Sequence, residues 1–208
     1  MKQIIAMALC AGALWAGQLP ASEALAPDVL AKSVTDEVLA IVRADKDIQA
    51  GNQRKVHDLV ESRVVPHFNF VRMTQLAMGR NWRNAKADQQ RRLVEEFRQL
   101  LVRTYTSAFT QYRNQTIEYR RTRMAAGDTD VVVQSLIKQP SGQPVAVDYA
   151  MEKTGNGWKV YNVKIEGVSL VENYRNTFNT EVQKSGIDGL IKSLADKNRM
   201  LVQQAQSR

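Results

Sequence analysis

Apolar positions along the chain change period twice. From Pro27 to Tyr112 they recur at spacings of three and four, from Thr116 to Ile165 they alternate, and from Leu170 the helical spacing returns. Pro27 and Asp28 open a first helix whose stripe is Leu30, Val34, Val38, Ile41 and Val42. The stretch from Lys46 is polar and ends in Gly51-Asn52, a break. A second helix carries Val56, Leu59, Val60 and Val64 and stops at Pro66, which disfavours helical geometry in the residue before it. The segment PHFNFVRMTQLAMGRNW predicts a short helix with Phe68, Phe70, Met73, Leu76 and Ala77, ended by Gly79. After Asn84 comes the longest stripe: Leu93, Phe97, Leu100, Leu101, Tyr105, Ala108, Phe109 and Tyr112.

The alternating part predicts four strands joined by short turns. Ile117 and Tyr119 mark the first, Val131–Lys138 is the second, Val145–Lys153 the third and Trp158–Glu166 the fourth. Short connections make neighbours antiparallel, and Gly155-Asn156-Gly157 is a hairpin turn. Alternation puts Val145, Val147, Tyr149 and Met151 on one face. It puts Tyr161, Val163 and Ile165 on one face of the next strand, opposite Asn162 and Lys164. Gly167 ends that strand. Ser169 with Glu172 is a capping box that opens a helix bearing Leu170, Val171, Tyr174 and Phe178. Gly186 separates it from a last helix with Leu190, Ile191 and Leu194. Helices, then an antiparallel sheet of about four strands, then helices again make an α+β fold, with helices on one sheet face. No internal repeat or low-complexity linker divides residues 25–208, so they are expected to form one domain.

The N-terminus stands apart. Lys2, the apolar run Ile4–Trp15 and the small residues that follow read as an export signal over residues 1–24, with cleavage between 21 and 26. The run is too short for a bilayer span of about 20 residues. The one cysteine, Cys10, lies inside it, so the mature chain offers no disulfide, thiolate nucleophile or thiolate ligand. Export argues against nucleic acid as the reason for the net charge of +8, which suits a solvated surface, anionic headgroups or an acidic partner.

Catalytic signatures are missing: no P-loop, no dinucleotide glycine loop and no nucleophile elbow. His57 and His67 are the only histidines and lack metal-ligand spacing, so they read as surface or capping residues. Asp148 is an acid in an apolar strand, but alternation sets it on the wetter side. Arg120, Arg121 and Arg123 offer phosphate contacts or simply an exposed charged strand. Neither catalytic nor metal residues are assigned.

Three segments, PHFNFVRMTQLAMGRNW, EEFRQLLVRTYTSAF and GWKVYNVKIEGVSLVENYR, resemble the MlaC family, also called toluene-tolerance or Ttg2-type proteins. The resemblance spans nearly the whole mature chain in the same order. It implies a twisted antiparallel sheet of NTF2-like shape and a deep apolar pocket between sheet and helices. It further implies a periplasmic phospholipid carrier without enzyme activity or cofactor. The implied partners are an inner-membrane ABC transporter complex and an outer-membrane lipoprotein–porin complex, and the implied role is outer-membrane lipid asymmetry. Face assignment within these motifs makes Phe97, Leu101, Tyr105 and Phe109 one wall of the pocket. Val133, Val147, Tyr149, Val163, Ile165, Val168, Leu170, Val171 and Tyr174 make the other. Two rivals are an NTF2-like enzyme using Asp148 and a periplasmic chaperone for lipoproteins or unfolded chains.

Overall fold

A computed structural model describes residues 25–110, 115–139 and 142–206, with backbone alone for 107–110 and 206. The expected signal segment and Tyr112 lie outside the described residues, and Phe109 lies outside the described side chains.

The helical layer begins with α1 (Pro27–Ala44), whose Val38, Leu39 and Val42 are buried. The polar stretch after it is not simply a break. The Asp45 carboxylate accepts from the amides of Asp47 and Ile48 and caps a one-turn helix, α2 (Lys46–Gln49), that buries Ile48. The Asn52 side chain caps α3 (Gln53–Arg63), and Asn69 caps α4 (Phe70–Met78) through the amide of Arg72. Gly79, with φ 54°, ends α4. The long α5 (Ala87–Thr110) follows. It packs mainly on α3, α4 and α6 (Leu170–Gln206), and no strand is among its main partners.

The sheet is an antiparallel meander, β1 (Thr116–Tyr119), β2 (Asp130–Lys138), β3 (Val145–Thr154), β4 (Gly157–Ile165) and β5 (Val168–Ser169), in that spatial order. Five strands replace the four expected. Glu166 (φ 50°) and Gly167 (φ 78°) turn the chain so tightly that Ile165 pairs with Val168 before α6 starts. Glu166 is a non-glycine residue in the left-handed region, which is why sequence pattern missed this turn.

A β-bulge corrects one face. Ala150 pairs with Asn162 but Met151 pairs with Val160, so Tyr161 is an extra residue. Tyr161 therefore leaves the face of Val163 and Ile165 and packs with the helices. Its hydroxyl donates to Asp130, and the Arg72 guanidinium lies 3.6 Å from its ring centre. Arg72 also donates to Glu152 at 2.6 Å and to Asp130 at 3.0 Å, tying α4 to the sheet. Burial and the Asp130 carboxylate push the Tyr161 phenol up to about 12. Asn162 is buried instead of wet, because its side-chain oxygen accepts from Ser169 Oγ and the Val171 amide at the start of α6.

Apolar packing falls into three groups. One joins α4, α5 and α6, the second joins α1, α2, α3 and α5, and the third lies on the inner face of the sheet.

Candidate functional site

The inner face of the sheet is built by register. Ile137 pairs with Val145, Ser135 with Val147, Val133 with Tyr149 and Val131 with Met151. On the other side of β3, Val147 pairs with Ile165 and Tyr149 with Val163. Directly paired residues share a face, so these side chains form one apolar surface. Leu30 and Ala31 of α1, Phe68 and Leu170 pack against it. Val131, Val133, Val147 and Val163 are buried, whereas Val145, Tyr149, Ile165 and Leu170 keep part of their surface open.

A line of hydroxyls crosses this face. Ser135 Oγ donates to the Val147 carbonyl at 2.9 Å, and the Tyr149 hydroxyl meets those of Ser135 and Tyr119. Tyr119 shares a 2.6 Å hydrogen bond with Thr35 Oγ1 of α1. Burial raises the pKa of both phenols, so they stay neutral and bring no charge to an apolar surface. Tyr149 is only partly buried and keeps some accessible surface.

The thirteen wall positions read from sequence separate into different places. Val133, Val147, Tyr149, Val163, Ile165 and Leu170 come together on the inner face. Phe97, Leu101, Tyr105, Val171 and Tyr174 belong to the helical group instead. Within it Phe97 stands 5.0 Å, ring centre to ring centre, from both Tyr174 and Phe178, edge to face. Val168 shares the side of Ile165 but sits on the edge strand and is 61% exposed, so it borders the face and does not wall it. Leu30, Ala31, Tyr119, Ile137 and Val145 also belong to the face and were not named as wall positions from sequence, although alternation sets Val145 beside Val147 and Tyr149.

Asp148 pairs with Gln134 and Lys164 on the opposite face, away from the apolar surface. His57 lies 3.7 Å from both Asp58 and Glu61 on α3. Partial burial and the nearby Lys159 hold the His67 imidazole below its ordinary pKa. Among the described residues no cluster of His, Cys, Asp or Glu fits a metal, and no helix is long and apolar enough to cross a membrane.

Two surface clefts lie elsewhere. One of about 410 Å³ sits where α1, α2 and α3 meet, and its Lys55 is neutralised by Asp45 at 2.9 Å and Asp47 at 2.8 Å. The other, about 800 Å³, is lined by Arg121, Thr122, Arg123, Met124, Ala125 and Asp128 after β1.

Residues 32–196 match the family model described as MlaC protein. The intermembrane phospholipid transport system binding protein MlaC of Haemophilus influenzae is 24% identical over 168 residues, 79% of this chain and 78% of that protein. The toluene tolerance protein ttg2D of Pseudomonas putida is 25% identical over 163 residues, 78% of this chain and 75% of that protein. The structure of a phospholipid-binding protein from Ralstonia solanacearum, in complex with a phospholipid, is 44% identical. It covers 84% of this chain and 98% of that one with a TM-score of 0.78.

Proposed function

The chain belongs to the MlaC family, and on that premise we propose that it is a periplasmic phospholipid carrier. It is exported by residues 1–24 and shelters acyl chains against the inner face of the sheet. It passes lipid between an inner-membrane ABC transporter complex and an outer-membrane lipoprotein–porin complex, which preserves outer-membrane lipid asymmetry. The observation that carries the reading is the continuous apolar inner face, on which Val145, Tyr149, Ile165 and Leu170 keep part of their surface open.

Physical chemistry sets the task. Each methylene withdrawn from water is worth about 0.8 kcal/mol, so two chains of roughly 15 carbons come to about 24 kcal/mol. A carrier must replace nearly all of that contact, which needs a pocket near 1,000 Å³, about the top of the usual range. Valines, isoleucine and neutral phenols supply such contact without a charge to desolvate. The headgroup stays in water, so discrimination among headgroups is weak. Among the described residues packed on the inner face none is an acid, and Asp148, the rival enzyme's candidate, lies on the opposite face of β3. Direction comes from partners that prefer the filled or the empty form.

Organic extraction of the purified protein followed by mass spectrometry tests this directly. Phospholipid is the expected content, and peptide or nothing would refute the reading. Ile165→Glu places a carboxylate on a part-exposed position of the inner face. It is expected to cut co-purified phospholipid at least severalfold with the circular dichroism spectrum unchanged. Leu101→Glu is a poorer probe, because Leu101 is buried within the helical group and an unpaired carboxylate there threatens folding.

A further inference from the structure

We propose that the end of the molecule built from the start of α1 and the segment after β1 docks on the anionic surface of a lipid bilayer. This deepens the carrier reading and rests on it. The amide of Thr122 donates to Asp28 Oδ2 at 3.0 Å, which holds the post-β1 segment beside the first turn of α1. Three large apolar residues project there: Leu25 is 52% exposed, Val29 50% and Met124 43%. Exposed too are Arg120, Arg121 and Arg123, and among the described residues none of them is paired with a carboxylate. The two local acids are occupied by backbone. Asp28 accepts from the amides of Val29 and Thr122, and Asp128 accepts from the amide of Ala125 at 2.7 Å.

Protruding apolar side chains among unpaired guanidinium groups match the bilayer interface, where apolar tips enter the acyl boundary and cations meet phosphates. Arginine suits the phosphates because its planar fork binds two oxygens at once. The cleft of about 800 Å³ between Arg121, Arg123 and Asp128 leaves room for headgroups at this end. Position gives the surface its purpose. Tyr119 precedes Arg120, Leu30 follows Val29, and both pack on the inner face of the sheet. A tail leaving a bilayer at this end would travel a short path to the face that shelters it.

Co-sedimentation with phosphatidylglycerol-containing vesicles tests the surface, with pure phosphatidylcholine vesicles as the neutral arm. The wild-type chain should prefer the anionic vesicles and release them as salt rises. Arg121→Gln with Arg123→Gln should bind about tenfold more weakly, given that each cation near an anionic surface is worth a severalfold gain. Removing the same charge at Arg91 and Arg92, exposed on α5, should leave binding unchanged. Val29→Ser with Met124→Ser keeps all charges and should also weaken binding. Equal loss from both arginine pairs would mean net charge alone attracts the protein and would overturn the proposal. So would wild-type protein that ignores anionic vesicles, or variants that bind them normally and fail only in exchange with a protein partner. Phospholipid content by mass spectrometry is read in parallel. Its retention in all variants separates a failed docking surface from a failed carrier.

Discussion

Asn162 and Tyr161 are adjacent, and the side each takes is decided by one inserted residue. Strict alternation predicts Tyr161 in and Asn162 out. The bulge turns Tyr161 toward Arg72 and Asp130 and buries Asn162 beneath the start of α6. No local pattern marks the bulge, since it depends on where α4 and α6 press on β4. Asn162→Ala removes an acceptor from Ser169 and Val171 and is expected to cost about 1–2 kcal/mol in urea unfolding, whereas Asn162→Asp keeps the acceptor and most of the stability. His67 gives a second residue-scale test. Its folded pKa lies below the unfolded value of about 6.5 through burial and Lys159. The unfolded chain therefore binds more protons as pH falls through 6.5, and stability drops until the folded pKa is passed, then levels. His67→Gln should remove that segment of the stability–pH curve.

Elements whose ends carry their own chemistry were legible in the sequence. Ser169 caps α6 as read, donating its hydroxyl to Asn162 and accepting the Glu172 amide at 3.2 Å. The four longer strands fall within about a residue of their predicted ends. Short elements were not legible: α2 is one turn and β5 is two residues, too brief for either period to register. Gly186 was legible and consequential. It interrupts α6 at φ 71° and ψ −178°, a region that only glycine occupies readily, with open space where a Cβ would stand. Gly186→Ala is thus a backbone test free of steric clash. It should lower stability by about 1–3 kcal/mol while phospholipid content stays near wild type, because the inner-face contacts come from the part of α6 before the break.

Whether an apolar residue fills a core or walls a hollow is a property of the whole molecule, and periodicity carries no trace of it. Phe97 and Tyr174 obey the same spacing as any lining residue, yet they pack on each other and on Phe178. The α+β class and the inward faces of β2 and β3 were legible because burial of one side of a strand writes itself into alternate positions. Whether the layers stand apart was not, because that depends on how far α1 and α5 stand from the sheet. Adding volume distinguishes hollow from core. Val147 pairs with Ser135, the smallest strand side chain of the inner face, across the β2–β3 register. In a filled interior Val147→Phe overpacks and costs about 1–3 kcal/mol with bound lipid unaffected. In a hollow the added ring occupies space that acyl chains would take. The lipid-free protein should then keep or gain stability in urea unfolding while co-purified phospholipid falls. Ligand removal should show the matching sign: stripping lipid from the wild-type chain lowers its melting temperature, since a bound ligand stabilises only the folded state. In the Val147→Phe protein that difference should shrink, because the ring already covers part of the face that lipid covered.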